Sequence, residues 1–290
     1  MTTTSFDGTV PAAAADTTTA RTPQREDTTP GAGFATTAVT TSRRTVLQFF
    51  RTPQVLFMGS IQGALFLFMF RYVFGGAINP GGDLDYVNFL VPGFLVTVIL
   101  WSGMSAASGV AEESSTGVHD RLRSLPIPRA GVMVGRSMAD SALVAWGIFV
   151  TAVIGVLVGW RPDGSLGQIL IGFALMLIAG YAFTWIFIFI GLVAGNAQAA
   201  QGLSMLAFPF VFVSSAYVPV ESMPGWLQPI AEHQPITPMV GSVRALTLGD
   251  QAESVLGHSA AWFAVRAVAW SVVIVAIFLP LATRRFDRAR

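Results

Sequence analysis

The chain has 290 residues, of which 53% are hydrophobic and only 11% are charged. Soluble globular domains carry about 25% charged residues, so these values exclude an ordinary water-soluble fold. The hydrophobic residues fall in long runs, and a bilayer requires about 20 apolar residues of each helix that crosses it. The formal net charge of +1 indicates neither a nucleic-acid partner nor an acidic ligand.

Missing residue types exclude further functions. The chain contains Arg but no Lys, and a P-loop needs a Lys on the phosphates of ATP. The chain therefore holds no such motif. The lack of Cys excludes disulfides, thiolate metal sites and a Cys nucleophile. An Arg-rich, Ala-rich composition without Lys is typical of bacteria with a high genomic GC content.

Two regions are predicted. Residues 1–42 are rich in Thr, Ala and Pro, and they cannot bury enough apolar surface to offset the entropy of ordering. They are predicted to be a disordered cytoplasmic tail, since no basic start followed by an apolar run marks a signal peptide. Residues 43–290 are predicted to form one all-α transmembrane domain.

The domain is predicted to open with a short amphipathic helix. Arg43, Arg44 and Arg51 would meet lipid headgroups, while Phe49 and Phe50 would enter the acyl boundary. The same pattern is also consistent with a simple flank of the first span.

Six transmembrane helices follow. The predicted spans are approximately 55–74, 87–110, 135–159, 168–194, 202–218 and 260–281. Six spans place both termini on one side, and the arginines of 43–51, 121–136 and 284–290 share that side. The positive-inside rule makes it cytoplasmic. The opposite loops carry Arg161 and Arg244 as their basic residues.

Ionisable residues inside spans are expensive and usually functional. Arg71 and Arg266 lie near predicted outer ends and can extend to the interface. Arg136 and Asp140 are four residues apart in the third span, where an intrahelical pair would lower the cost of both. No carboxylate is predicted at mid-membrane, which argues against a proton-coupled carrier.

A polar segment, residues 111–130, separates the second and third spans. Val118, Leu122 and Leu125 would form one apolar stripe on a short helix. So short a helix is marginal alone in water, so the stripe is predicted to lie against a cytoplasmic partner or the membrane surface. A solvated loop is the alternative.

Residues 218–258 are too long for a bare connector. Ser222 and Thr237 are predicted to cap two short helices, and Gly249 to end the second. These half-helices would form a hairpin that dips into the outer leaflet, with a peripheral external cap as the alternative. The residues that define the hairpin are Pro224, Trp226, His233, Pro235 and Pro238.

Few residues suggest chemistry. The three histidines have no metal-ligand spacing, so no metal site or catalytic group is predicted. Met205, Phe208 and Phe212 of the fifth span are predicted to line an apolar substrate path, although these side chains are equally suited to face lipid.

Three stretches carry a resemblance to a known family. They are FRYVFGGAI at 70–78, FLVPGFLV at 89–96 leading into 109–140, and SSAYVPVESMPGWLQPIAEHQPITPMVGSVRALTLG at 214–249. They resemble type 2 ATP-binding-cassette (ABC) exporter permeases, particularly the daunorubicin-resistance permeases. The resemblance covers nearly everything after Arg43.

The resemblance implies six transmembrane helices, an amphipathic connecting helix and a re-entrant hairpin at 218–249. It also implies a coupling helix at 112–125, which would seat in a groove of an ATPase subunit. The residues expected to couple are Glu112, Glu113, Gly117, Val118, Asp120, Arg121, Leu122, Arg123 and Leu125. ATP and Mg would bind that partner rather than this chain.

The predicted function is therefore the permease half of an ABC exporter in a bacterial inner membrane. A second permease copy or a homologue would complete it, and an amphiphilic drug, lipid or glycolipid would be exported. An ion-coupled carrier or channel without an ATPase is the alternative. A membrane-embedded enzyme is disfavoured because no acid, His or metal cluster converges.

Overall fold

The computed structural model describes residues 33–51, 53–75, 84–124, 127–249 and 252–288. The regular structure within these ranges is helical. The α-helices are α1 Phe34–Arg51, α2 Pro53–Met69, α3 Tyr86–Ser115, α4 Val118–Ser124, α5 Arg129–Val158, α6 Leu166–Ala194, α7 Ala197–Met205, α8 Phe208–Phe212, α9 Gln228–His233, α10 Ile236–Leu248, α11 Ala252–Leu256 and α12 Ala260–Arg288. A π-helical turn, Phe70–Phe74, extends α2, and a 3-10 turn, Val220–Ser222, precedes α9.

Four of the described helices are long and apolar enough to cross a membrane, namely α3, α5, α6 and α12. They lie where the second, third, fourth and sixth spans were predicted. Shorter apolar helical stretches occupy Gly63–Val73 and Ala197–Phe212, at the positions of the first and fifth spans.

The fifth predicted span is not one continuous helix. α7 ends at Met205 and α8 begins at Phe208, with turns before and after α8. Pro209 explains the break, because it has no N–H to donate to the carbonyl of Met205 and its ring would clash with that carbonyl. The prediction of a helix over 202–218 is wrong in this respect.

The first helix starts earlier than predicted. α1 begins at Phe34, whereas the predicted boundary between tail and membrane domain lies at Arg43. Residues 34–42 are thus helical and belong with the membrane domain, which corrects that boundary. Residues 1–32, the rest of the predicted tail, lie outside the described residues.

Small residues explain this early start, because α1 packs closely along α5. Thr37, Ala38 and Thr45 are buried, and a Cβ at Gly135 would lie 2.4 Å from the carbonyl oxygen of Ala38. Thr and Ala lower the apolar content of a segment, yet they permit close helix contact. The same composition that predicted disorder therefore serves packing here.

The core is organised around α3, which packs against α5, α6, α7 and α10. Every residue from Phe89 to Leu100 is buried, as expected of a helix that is apolar all round. Further along α3, a Cβ at Gly103 would meet the Phe187 ring at 2.0 Å. Gly103 therefore permits close packing of α3 on α6.

The helix starts predicted in the 218–258 segment are wrong. α9 begins at Gln228 rather than after Ser222, with Pro229 in its first turn. α10 begins at Ile236, and the Thr237 hydroxyl accepts from the Ser215 backbone N–H at 3.2 Å instead of capping. The Thr237 hydroxyl, which the sequence pattern predicts as a helix cap, thus takes part in a tertiary contact instead.

The second helix of this segment, α10, is not amphipathic. Every residue of α10 from Ile236 to Leu248 is buried, and the helix packs against α3, α6 and α12. Gly249 ends α10 with a φ of 58°, as the sequence predicted. The predicted amphipathic half-helix facing the outer leaflet is therefore replaced by a helix enclosed in protein.

Candidate functional site

The predicted coupling segment divides into two elements. α3 continues to Ser115, so Glu112 and Glu113 lie on that long helix. Gly117 then adopts a left-handed φ of 73°, a conformation that costs glycine little. It turns the chain into α4, which is shorter than the predicted 112–125 helix.

Not all predicted coupling residues can be placed. Leu125 lies outside the described residues, as do the side chains of Asp120 and Arg123. Arg121 is exposed on α4, whereas Val118 and Leu122 are half-buried.

The apolar side of α4 lies on the chain's own helices. Leu122 packs against a cluster that includes Met133 of α5, Trp185 of α6 and Phe286 of α12. Leu122 is therefore held at least in part by the chain's own helices, and contact of the stripe with a partner or with the membrane surface stays a prediction. α4 thus packs on the rest of the chain through Leu122, whereas its Arg121 is exposed.

A buried ionic cluster lies close behind this segment. Arg136 donates from Nε to Asp140 Oδ2 at 2.9 Å and from Nη1 to Glu113 Oε2 at 2.7 Å. Arg136 and Asp140 are buried, with 5% and 2% exposure. The predicted intrahelical pair is confirmed, and Glu113 joins it from α3; a docking role for Glu113 stays a prediction.

A glycine makes room for the cluster. A Cβ at Gly109 of α3 would lie 2.7 Å from Nη2 of Arg136, so a larger residue would displace the guanidinium. The pairing ties the end of α3, just before α4, to the start of α5. Sequence spacing could not reveal it because Glu113 and Arg136 lie on different helices.

The basic residues predicted for the interfacial helix are exposed. Arg43, Arg44 and Arg51 line one shallow groove along α1, together with Leu47. Phe50 is 61% exposed, and Phe49 is half-buried. Contact of this surface with lipid headgroups stays a prediction.

The predicted gate residues fall into different environments. Pro224, Trp226 and His233 are exposed, and Trp226 lies in a turn before α9 rather than on a helix. Pro235 is half-buried, while Pro238 is buried within α10. The structure therefore separates an exposed first arm from an enclosed second arm.

The residues of the predicted substrate path are largely exposed in the single chain. Met205 and Phe212 are 61% and 59% exposed. Phe208 is half-buried, with its ring centroid 6.4 Å from that of Trp101. These side chains line neither the groove along α1 nor the cavity beside Arg244, and a substrate path along them stays a prediction.

Sequence reasoning missed the most unusual basic residue. Arg244, predicted to lie in an external loop, is 1% exposed in the middle of α10. It donates from Nε and Nη2 to the carbonyl of Phe89 at 3.1 and 2.8 Å, and from Nη2 to that of Ser215 at 2.8 Å. It also lines a cavity of about 340 Å³.

Comparison with known proteins decides the family. The sequence model of the ABC-2 type transporter family matches residues 37–248, which is more than half of the chain. The chain belongs to this family. The matched segment includes the coupling region, the ionic cluster and Arg244, and the resemblance inferred from the three sequence stretches is confirmed.

Individual relatives agree with this assignment. This ABC-2 permease is 28% identical over 244 residues to the daunorubicin resistance ABC transporter permease protein DrrB1 of Streptomyces coeruleorubidus, covering 84% of this chain and 83% of that protein. It is 25% identical over 211 residues, 70% of this chain and 75% of the relative, to the probable doxorubicin resistance ABC transporter permease protein DrrC of Mycobacterium tuberculosis. A third relative is the probable multidrug ABC transporter permease YbhR of Escherichia coli, 25% identical over 62% of this chain and 49% of that protein.

Family membership settles where ATP is hydrolysed. ABC-2 permeases are membrane subunits and not ATPases, and hydrolysis belongs to a partner subunit that binds the nucleotide and Mg. Among the described residues of this permease, no group of three or more His, Asp and Glu side chains is placed to hold a metal ion.

Proposed function

We propose that this permease forms the membrane-spanning half of an exporter that moves an amphiphilic drug, lipid or glycolipid out of the cytoplasm or inner leaflet. A separate ATPase subunit would drive it, and a second permease copy or a homologue would complete the complex. The drug-resistance names of the relatives support export of amphiphiles.

The proposed topology has six spans in a bacterial inner membrane, with both termini in the cytoplasm. α2 with its π-helical turn, α3, α5, α6, α7 with α8, and α12 would be the spans. The arginines in 43–51, 121–136 and 284–290 would then lie on the cytoplasmic side, as the positive-inside rule requires.

α9 and α10 form the proposed re-entrant hairpin. α10 has 13 residues and therefore extends about 20 Å, which is less than the hydrocarbon thickness of about 30 Å. It is enclosed by α3, α6 and α12, and non-spanning backbone is tolerated at membrane depth where protein surrounds it. A short buried helix followed by a glycine stop is thus suited to enter and leave on one side.

Anchoring of α4 is the observation that carries the coupling proposal. Leu122 of α4 packs against a cluster whose members come from α3, α5, α6 and α12, and Arg136 joins the end of α3 to α5. A displacement of α4 would therefore reach most of the spans through packed side chains. ATP would shift the permease between arrangements only through different affinities of the ATPase for each.

Charge reversal on the exposed side of α4 tests the ATPase contact. In this proposal Arg121 faces an acidic group of the ATPase. Arg121→Glu should greatly reduce the amount of ATPase that co-purifies, because two like charges in contact at an interface cost several kcal/mol. Arg285→Glu, an exposed arginine of α12, is the matched control and should leave co-purification intact. Equal ATPase recovery from both variants would remove α4 from the interface.

A further inference from the structure

The cavity beside α10 has no role in the coupling scheme. Its volume is about 340 Å³, and its walls come from α9, α10, the 3-10 turn and the first turns of α12. Gly241 on α10 helps to form it. A cavity of this size is within the range of small-ligand sites.

A buried cation that has no ion pair among the described residues forms part of its lining. Arg244 is 1% exposed, and its hydrogen bonds go to backbone carbonyls. None of the described carboxylates forms an ion pair with it, and these hydrogen bonds come from Nε and Nη2. A buried guanidinium without an acid is costly, so an anionic group that entered the cavity would be strongly favoured.

Ser215, which also lines the cavity, carries a polar atom without a partner among the described residues. Ser215 is 9% exposed, and its hydroxyl oxygen is buried without a hydrogen-bond partner in the described part of the chain. The carbonyl of the same residue accepts from Arg244 Nη2, so Ser215 and Arg244 are neighbouring residues of the lining. A guanidinium beside a free hydroxyl donor is suited to a carboxylate or phosphate group.

The cavity wall on α12 is aromatic and basic. Trp262 stacks on His258 with ring centroids 3.9 Å apart, and the Arg266 guanidinium lies 4.3 Å from the Trp262 ring. This wall offers apolar area for the body of an amphiphile and a second positive charge for its headgroup.

Two carboxylates also line the cavity, and they limit the proposal. Glu221 and Glu232 are exposed, so water and salt screen their charges. Arg244 is buried and much less screened. The opposite charges therefore differ in depth, with the cation inside and the acids near solvent.

We propose that this cavity binds the oxyanion headgroup, a carboxylate or phosphate, of an amphiphile. Arg244 and Ser215 would hold the headgroup, and the Trp262 wall would hold the apolar part. The proposal that the cavity binds such a headgroup is argued from the cavity residues alone. The interpretation of the cavity as the binding site for the exported substrate rests on the proposed export function.

Equilibrium binding to the purified full-length permease, without any ATPase, tests the proposal. Calorimetric titrations would compare dodecyl phosphate, dodecyltrimethylammonium and inorganic phosphate. Dodecyl phosphate should bind saturably and at least about tenfold more tightly than either of the other two, since charge-assisted hydrogen bonds and chain burial both contribute.

Three variants locate the site. Arg244→Gln should weaken dodecyl phosphate binding at least about tenfold, and Ser215→Ala and Arg266→Gln about threefold or more. Arg71→Gln is the control, because Arg71 pairs with Asp85 and does not line the cavity. If Arg244→Gln does not fold, as judged by thermal unfolding and size-exclusion profile, the Ser215 and Arg266 variants decide.

Specific outcomes overturn the proposal. Tighter binding of dodecyltrimethylammonium would make this a cation site formed by Glu221 and Glu232. Equal affinity for inorganic phosphate and dodecyl phosphate would indicate a free anion rather than an amphiphile. Unchanged dodecyl phosphate affinity in the Ser215 and Arg266 variants would place any binding elsewhere. Loss of the ATPase contact would leave these measurements unaffected, so the two proposals fail separately.

Discussion

At the residue scale, Arg136 shows how a charge can be placed inside an apolar helix. Its guanidinium satisfies one carboxylate on its own helix and one on α3, which offsets the cost of taking it out of water. Arg244 follows a different rule, since backbone carbonyls and the Phe89 ring, 3.6 Å away, surround it. The paired arginine is suited to structure, and the unpaired one to binding.

Arg136→Met should be strongly destabilising, because it leaves Asp140 buried and unpaired. Losing one partner of a buried pair costs about 3–5 kcal/mol. Glu113→Gln keeps the shape and one hydrogen bond, and Glu113 is partly exposed, so about 1 kcal/mol is expected. Thermal unfolding midpoints in one detergent would rank the variants, and equal midpoints would mean that the cluster does not anchor α5.

At the element scale, α1 illustrates how one composition supports two interpretations. Thr and Ala in isolation cannot offset the entropy of ordering, yet on α5 they allow a contact that large side chains would block. α7 and α8 show the converse, since an apolar run long enough to predict one span is interrupted by Pro209. Local composition predicts where helices lie more reliably than what they contact.

Gly135→Ala should loosen α1 from α5, because the added Cβ would approach the Ala38 carbonyl to 2.4 Å. Overpacking of this kind costs about 1–3 kcal/mol. Gly202→Ala on α7 is the control, since no atom lies within 4 Å of its Cβ position, and it should be neutral or stabilising. Faster proteolysis within α1 would measure the loosening. If Gly135→Ala were as protease-resistant as the control, the close contact would not be what orders this helix.

At the scale of the whole molecule, the proposed machine depends on which side of the membrane α4 and the α9–α10 segment occupy. The two lie apart in sequence. α3, α6 and α12 contribute both to the cluster under Leu122 and to the packing around α10. An ATPase in the cytoplasm can act only if α4 is cytoplasmic, and the predicted external position of the α9–α10 segment requires the opposite side.

Because the chain has no Cys, single introduced thiols report topology without background. Ser124→Cys on α4 should react with an impermeant maleimide only after the cell is opened. Ser222→Cys in the 3-10 turn should react in intact cells, and both serines are exposed. Labelling of Ser124→Cys from outside would end the coupling scheme.

The sequence alone determined the helical membrane class, the family and the position of the four long helices. Long apolar runs and Arg-rich connections indicate which segments lie in lipid and which lie in water, and this depends on contiguous residues. The Arg136–Asp140 pair could be predicted for the same reason, since it lies within one helical turn.

Only the tertiary structure decided that Glu113 joins the Arg136–Asp140 pair and that Leu122 packs against the chain's own helices. It also decided that α10 is enclosed by protein and that Arg244 is buried beside a cavity. Each of these depends on contacts between residues far apart in the chain. Hydropathy indicates the free-energy cost of burying a polar residue, whereas only the assembled helices determine which hydrogen-bonding or charged groups lie beside it and lower that cost.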